Sequence, residues 1–210
     1  MSEHCTFKYF KEETLKKYAA QYGWTLIDES NREDLFLDMI RQMDMSYSYK
    51  PVLIKAVLAC ADDKGRVKLS DIVAYFHNFY EQRRADGLVV EKAASIYAKG
   101  GYTDKDAECN ILANPFKRFE DMQMMRHTKT LGIIQIEEAV WKNLSQEEKA
   151  EIECICDQKL TEYYGRCVRR IGAEKFITEK VKENTCPNCG ALLKWDMGDG
   201  EFCAACGYRR

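Results

Sequence analysis

Two Cys-x-x-Cys pairs near the end of the sequence constrain the fold more than any other feature. Cys186 and Cys189 form the first pair, Cys203 and Cys206 form the second, and a glycine follows each pair. Because two intervening residues let one turn present both sulfurs, two such turns can supply the four ligands of a tetrahedral zinc ion. The glycines relieve crowding where backbone amides point at the sulfurs. We predict one Zn²⁺ per chain, bound by these four cysteines in a β zinc ribbon over residues 185–210.

A site with four protein ligands has no open coordination position, so the predicted zinc ion is structural and not catalytic. It would stabilise a segment that is too short to bury enough apolar surface by itself. A rubredoxin-like iron site is the chemical alternative. Trp195 could simply cover the metal, and the two terminal arginines could be an ordinary chain end. The ribbon side chains that could instead contact nucleic acid or a protein partner are Lys194, Trp195, Arg209 and Arg210.

Apolar residues at helical spacing dominate the rest of the chain, which predicts a mostly α fold of the α+β class. Helix caps are predicted at Ser30, Ser70, Thr103 and Ser145, and those at Ser30 and Ser145 are capping boxes. Strand patterns occur at residues 66–69, 88–90 and 131–136. The predicted domains are an N-terminal helical segment (1–45), a winged-helix-like domain (46–165), a basic helical connector (166–184) and the zinc ribbon (185–210).

Between Pro51 and Ile136 the predicted order of elements is helix, short strand, helix, helix and hairpin. This is the order of a winged helix-turn-helix domain, in which the first strand pairs with the hairpin. The recognition helix would then span residues 111–125, interrupted at Asn114-Pro115, and residues 126–129 would lie in the wing. The contacts to nucleic acid or a partner predicted in this domain and in the connector are Lys117, Arg118, Arg126, Lys129, Arg166, Arg169 and Arg170.

Charge argues against a strongly basic DNA reader. The candidate recognition helix balances its cations with an equal number of acids, namely Lys117, Arg118 and Arg126 against Glu108, Glu120 and Asp121. The whole chain has a net charge of −2, and four thiolates around one Zn²⁺ would make it about two units more negative. Any binding to nucleic acid must therefore use a local patch. Because winged helices also dock proteins, a protein-binding role stays open.

The composition predicts a cytoplasmic protein without a membrane partner. No apolar run is long enough to span a membrane, and the first residues lack a secretory signal pattern. The cysteines outside the two pairs have no spacing typical of a disulfide framework, and most are predicted on apolar helix faces in reduced form. These cysteines are Cys5, Cys60, Cys109, Cys154, Cys156 and Cys167.

Five segments of the sequence form a combined pattern: residues 45–53 (MSYSYKPVL), 65–67 (GRV), 79–81 (FYE), 87–92 (GLVVEK) and 114–122 (NPFKRFEDM). They resemble an accessory region at the C-terminal end of some bacterial DEAD/DEAH-box helicase-like proteins, and the resemblance covers about residues 35–165. The phosphate-binding loop and the acidic metal box of the helicase motor are absent from the sequence. The resemblance thus implies kinship with DNA-processing systems without ATPase activity.

The sequence contains no pattern typical of an enzyme active site, and we predict that the protein is not an enzyme. His77 lies among aromatic residues, where a packed and hydrogen-bonded histidine is expected. The pairs Glu147-x-Lys149 and Asp157-x-Lys159 have the spacing of a metal-dependent nuclease, but a solvated helix face explains them better. A cryptic nuclease is the remaining enzymatic alternative.

Two functions fit these observations. The first is a nucleic-acid-binding accessory protein of a DNA-processing or mobile-element system, with DNA or RNA as its partner. The second is a phage or mobile-element inhibitor or adaptor that binds a host nucleic-acid enzyme, such as an RNA-guided (CRISPR) or restriction nuclease. The acidic balance of the chain favours the second, and the basic connector and the zinc ribbon favour the first.

Overall fold

Helices make up most of the computed structural model, which describes residues 12–27, 31–183, 185–188, 191, 193–196, 200–206 and 208–209. The chain divides into two units, Met1–Tyr164 and Gly165–Arg210. The predicted α+β class is confirmed, because a small antiparallel sheet accompanies the helices. No helix in the described part of the chain combines the length and apolar character that a membrane span requires.

The helices of the first unit are, in chain order, α1 (Glu12–Tyr22), α2 (Arg32–Arg41), α3 (Tyr49–Cys60), α4 (Leu69–Ala85), α5 (Ile96–Lys99), α6 (Asp104–Ile111), α7 (Lys117–Asp121), α8 (Glu138–Asn143) and the first part of α9 (Gln146–Glu183). Its strands are β1 (Arg66–Lys68), β2 (Met125–Thr128) and β3 (Ile133–Ile136). A core of apolar side chains from α2, α3, α4 and the sheet holds these elements together, with Ile40, Val52, Ile72 and Ile134 fully buried.

The three strands form one antiparallel sheet in the order β1-β3-β2. Arg66 pairs with Gln135, and Gln135 pairs with Arg126 on its other side. Because side chains alternate along a strand, the next residues point to the opposite face, where Val67 and Ile134 are buried. The sheet therefore has one face in the core and one polar face in solvent.

A π-helical turn at Leu112–Phe116 joins α6 to α7 and contains Pro115. The sequence predicted an interruption here, but the chain stays helical. Proline has no backbone N–H, and its ring clashes with the carbonyl of an ordinary α-helical turn. A wider turn accommodates both constraints, so the helix continues with an altered phase instead of ending.

Two of the four predicted helix caps are present, those at Thr103 and Ser145. The hydroxyl of Ser145 accepts a hydrogen bond from the N–H of Glu148, whose carboxylate accepts one from the Ser145 N–H. Thr103 and Asp106 form a second reciprocal pair. The cap predicted at Ser70 is wrong, since α4 already begins at Leu69. The cap predicted at Ser30 lies outside the described residues.

Three other expectations differ from the structure. Residues 88–90 form no strand, and α8 is a short helix that the sequence did not predict. Burial on an apolar helix face holds for Cys156 but is wrong for Cys60, Cys109 and Cys154, which are exposed. Burial raises the pKa of the Cys156 thiol to about 12, so this thiol stays protonated.

A buried carboxyl group joins four separate parts of the first unit. Glu91 is 6% exposed and lies in the segment between α4 and α5. Its Oε2 accepts hydrogen bonds from the backbone N–H and the hydroxyl of Ser48, at 2.9 and 2.5 Å. Its Oε1 accepts one from the hydroxyl of Tyr163 in α9. We call the five residues that meet here the Glu91 cluster: Ser48, Tyr80, Glu91, Tyr163 and Tyr164.

The remaining two tyrosines of the Glu91 cluster bind Ser48. Because the Ser48 hydroxyl gives its hydrogen to Glu91, it accepts hydrogen bonds from Tyr80, at 2.7 Å, and from Tyr164, at 3.1 Å. The guanidinium of Arg83 lies 3.3 Å from the centre of the Tyr164 ring and donates to the carbonyl of Val89. Every polar group of the cluster thus has a partner.

Stacked and edge-on tyrosine rings extend the Glu91 cluster into the core. The ring of Tyr80 stacks on that of Tyr97, 4.2 Å between centres, and Tyr49 contacts both rings edge-on. Burial raises the pKa of all three hydroxyls, to about 12 for Tyr49. The Tyr49 hydroxyl donates to Ser95, whereas the fully buried Tyr97 hydroxyl has no hydrogen-bond partner among the described residues.

We expect Glu91→Gln to destabilise the first unit by about 3 kcal/mol, because an amide N–H₂ would face the hydroxyl and amide donors that now point at a carboxyl oxygen. Urea unfolding followed by near-UV circular dichroism measures this change. The matched control is Glu162→Gln on the exposed side of α9, which should change stability by less than about 0.5 kcal/mol. Equal unfolding midpoints for the two variants would contradict the role assigned to Glu91.

Tyr97→Phe and Tyr49→Phe should change stability in opposite directions. Removing the unpartnered hydroxyl of Tyr97 should stabilise the fold by about 1 kcal/mol, whereas removing the Tyr49 hydroxyl loses the hydrogen bond to Ser95 and should cost about 1 kcal/mol. The two changes delete the same atom from neighbouring buried rings, so each serves as control for the other. Thermal unfolding of both variants checks the prediction, and a destabilised Tyr97→Phe would contradict it.

Candidate metal centre and cationic surfaces

The cysteine pairs lie in the second unit, beside a two-stranded antiparallel sheet. Its strands are β4 (Lys194–Asp196) and β5 (Gly200–Phe202), with Lys194 paired to Phe202. Cys203 follows β5 directly. The backbone N–H of Cys203 donates to the carbonyl of Tyr208, and that of Cys186 donates to Ala191, at 2.7 and 2.8 Å. Each hydrogen bond thus joins a cysteine to the residue five positions later in the chain.

Three thiols converge in this unit. The sulfurs of Cys186, Cys203 and Cys206 all lie within 4.8 Å of one another, and those of Cys186 and Cys206 are 3.5 Å apart. A tetrahedral metal site with metal–sulfur bonds of about 2.3 Å places its sulfurs about 3.8 Å apart. Cys186 and Cys203 are buried, and Cys206 is exposed. The three cysteines can therefore hold a metal ion.

One of these sulfurs also accepts a hydrogen bond from the backbone. The backbone N–H of Asn188 points at the sulfur of Cys186, at 3.4 Å. Such N–H donors orient a ligating sulfur and stabilise its negative charge. Cys189, the fourth predicted ligand, lies outside the described residues, as do Arg210 and the side chain of Trp195. Lys194 and Arg209 are exposed in the described part of this unit.

Among the cations of the candidate recognition helix, Lys117 is neutralised by acidic partners. The ammonium of Lys117 lies 3.1 Å from Glu120 and 2.8 Å from Asp121, and these partners raise the pKa of Lys117. Lys105, at the start of α6, lies 3.3 Å from Glu108. Of the three cations in the predicted charge balance, Lys117 is therefore ion-paired, whereas Arg118 and Arg126 form no ion pair with a described residue.

The two cations of the β2–β3 hairpin, unlike Lys117, are not neutralised by acidic partners among the described residues. Arg126, in β2, and Lys129, in the turn that follows, are exposed. Neither makes an ion pair with a described residue. Lys68, on the outer strand of the same sheet, is exposed in the same way. Sequence reasoning did not select Lys68, although the alternation of Arg66, Val67 and Lys68 already places both cations on one face.

The connector arginines lie in the part of α9 that belongs to the second unit. Arg166, Arg169 and Arg170 are exposed, and their spacing of three and four residues places them on one side of the helix. The side chains of residues 172–183 lie outside the described part of the structure.

Arg118 lines a groove between α2, the start of α3 and α7. Leu35, Met39, Met43, Phe119 and Met122 supply its apolar side chains, and Asp38, Gln42, Asp44, Lys50 and Arg118 its polar ones. The ammonium of Lys50 donates to the carbonyl of Asp44, at 2.7 Å. Burial lowers the pKa of Lys50, and the nearby charge of Arg118 lowers it further. The sequence did not predict this groove, because the helical spacing of its methionines indicates ordinary core residues.

The residues considered for catalysis are occupied by structural contacts. His77 stacks on Tyr102, and its Nε2 lies 3.0 Å from the carboxylate of Asp104. Asp157 binds the ammonium of Lys55, at 2.5 Å. Lys149 lies over the ring of Trp141, 4.1 Å from its centre. The packing predicted for His77 is therefore present.

Comparisons of the chain with protein-family models, with curated proteins and with solved structures give no match. The geometry of the sites described above must therefore carry the functional argument.

We expect freshly purified protein to contain about one bound metal ion per chain, and Cys203→Ser to lose it, because a buried serine hydroxyl is a poor substitute for a thiolate ligand. Elemental analysis measures the content and also identifies the metal. Cys109→Ser changes an exposed thiol on α6 and should retain the full content. Equal metal content in the two variants, or none in the unaltered protein, would rule out a metal centre at these cysteines.

Proposed function

We propose that this chain is a nucleic-acid-binding accessory protein of a DNA-processing or mobile-element system, with a winged-helix-like body and a structural zinc ribbon. In this proposal the protein binds DNA or RNA and carries out no chemistry of its own. The two units make separate contributions.

The body supports the proposal through its hairpin. The order α3, β1, α4, α6–α7 and β2–β3, with β1 paired to β3, is the connectivity of a winged helix. The observation that carries the proposal is that Arg126 and Lys129 of the hairpin are exposed without an ion-pair partner among the described residues. Unpaired cations attract phosphates without first giving up an internal salt bridge.

The second unit supports the proposal as a zinc ribbon. Thiolate ligands in tetrahedral geometry favour zinc or iron, and a closed four-thiolate zinc site gives a small β unit its stability. Cys186, Cys203 and Cys206 would bind the ion with Cys189 as the fourth ligand. Lys194 and Arg209 of the ribbon and the connector arginines Arg166, Arg169 and Arg170 would extend the cationic surface of this unit.

One observation favours a second candidate, a protein-binding inhibitor or adaptor. The groove of α2, α3 and α7 exposes part of Met39 and Met122. Methionine side chains adapt to different partners, and such grooves often bind apolar segments of other proteins. In this reading the partner is a nucleic-acid enzyme, such as an RNA-guided or restriction nuclease. The net charge of −2 also suits this candidate better than a general affinity for nucleic acid.

Binding of the protein to labelled duplexes should weaken steeply with salt. Three phosphate contacts, for example from Lys68, Arg126 and Lys129, predict that affinity falls about 40-fold from about 50 to about 200 mM salt. Fluorescence anisotropy with duplex DNA and duplex RNA measures the effect. Absence of binding to both at the lower salt concentration would refute the proposal and favour the protein-binding candidate.

A further inference from the structure

The solvent face of the sheet in the first unit carries cations on both outer strands. Arg66 on β1 and Arg126 on β2 flank Gln135 on the central strand β3. Neighbouring strands are about 4.8 Å apart, so the two arginines start from backbone positions about 10 Å apart. Lys68 lies on the same face of β1, two residues beyond Arg66, and Lys129 follows β2. We call Arg66, Lys68, Arg126 and Lys129 the sheet cations.

The sheet cations keep most of their charge available. Arg66 is bound by Asp62, with 2.7 Å between its Nη2 and the carboxylate. Lys68, Arg126 and Lys129 make no ion pair with any residue in the described ranges. Gln135, between the two arginines, is uncharged and can donate a further hydrogen bond. The face is therefore net positive although the chain as a whole is negative.

The α6–α7 segment has the opposite character. The cations Lys105 and Lys117 are bound by Glu108, Glu120 and Asp121, at distances between 2.8 and 3.3 Å. Arg118 lies half-buried at the groove with Lys50. A helix that reads bases in a major groove must first approach the phosphates on either side, and a surface of neutralised cations and acids repels them.

The side chains on this face also favour double-stranded over single-stranded nucleic acid as the ligand. Proteins that bind single strands stack the bases on exposed aromatic rings. The described residues on this face are Arg66, Lys68, Arg126, Thr128, Ile133 and Gln135, and none is aromatic. About 10 Å of a duplex carries about six phosphate charges, which is enough to face all four sheet cations.

We propose that the solvent face of the β1-β3-β2 sheet, and not the α6–α7 segment, is the nucleic-acid-binding surface, and that it contacts the phosphates of a duplex without sequence preference. This inference rests on the proposed function and deepens it. Bases are not read, because the described residues of this face offer mainly cations, and Thr128 and Gln135 are the two neutral hydrogen-bonding side chains among them.

The test compares two double variants that remove the same charge. Lys68→Ala with Arg126→Ala alters the sheet face, and Lys105→Ala with Lys117→Ala alters the α6–α7 segment. All four side chains are exposed, so both variants should fold, and circular dichroism and metal content check this. Fluorescence anisotropy is measured with two unrelated 20-bp DNA duplexes, one 20-bp RNA duplex and the corresponding single strands.

The sheet variant should bind both DNA duplexes at least about 10-fold more weakly and reduce the salt slope by about 2, whereas the α6–α7 variant should stay within about 3-fold of the unaltered protein. Exchange of the two cations, Lys68→Arg with Arg126→Lys, should keep the affinity, because charge and not side-chain shape is recognised. The affinity for the RNA duplex shows whether binding also depends on the geometry of the duplex.

Two kinds of result separate this inference from the proposed function. If the unaltered protein binds duplexes but the sheet variant binds equally well, or the α6–α7 variant is the weaker one, the assignment of the surface is wrong and the proposed function stands. The same holds if one DNA sequence binds more than 10-fold tighter than the other, or if the single strands bind tighter than the duplexes. If the unaltered protein binds no nucleic acid, both proposals fail.

Discussion

The first unit depends on the buried carboxyl group of Glu91. A carboxyl group removed from water loses several kcal/mol of hydration unless hydrogen bonds replace it. Here the replacements come from Ser48, before α3, and from Tyr163, in α9, while Tyr80 and Tyr164 complete the cluster through Ser48. Because these residues are far apart in sequence, the hydrogen bonds form together only when α3, α4 and α9 are in place. The cluster therefore penalises any arrangement in which one of these helices is displaced.

The Glu91 cluster also gives a structural role to three of the five sequence segments that form the combined pattern. Residues 45–53 contain Ser48 and Tyr49, residues 79–81 contain Tyr80, and residues 87–92 contain Glu91. All four side chains are buried. These segments thus supply the polar core of the fold. A fourth segment holds Gly65, whose positive φ of 70° and contact with Trp141 exclude a larger side chain.

The sequence was sufficient for features that depend on local spacing. Helical periodicity located most helices, and strand patterns located β1 and β3 but not β2, whose residues were assigned to the end of the recognition helix and to the wing. The spacing of the cysteines anticipated that Cys186, Cys203 and Cys206 would converge. The burial of Glu91 could not be predicted from the sequence, because a glutamate in an irregular segment is expected to be solvated. Its hydrogen-bond partners lie 43 and 72 residues away in the chain. The sequence also could not show that Lys117 is ion-paired and that Arg126 has no ion pair with a described residue, because each residue adds one positive charge to the count.

The π-helical turn around Pro115 has a consequence for the direction in which side chains point. A turn that holds one extra residue advances the following helix by about 100° relative to an uninterrupted α-helix. Phe116 and Phe119 are buried with this advance, and Lys117 is left in solvent beside its acidic partners. The rotation therefore decides which stripe of α7 is core and which is surface. Deleting a single residue from the turn would rotate α7 by about 100° and present a different stripe of the same amino acids to the core.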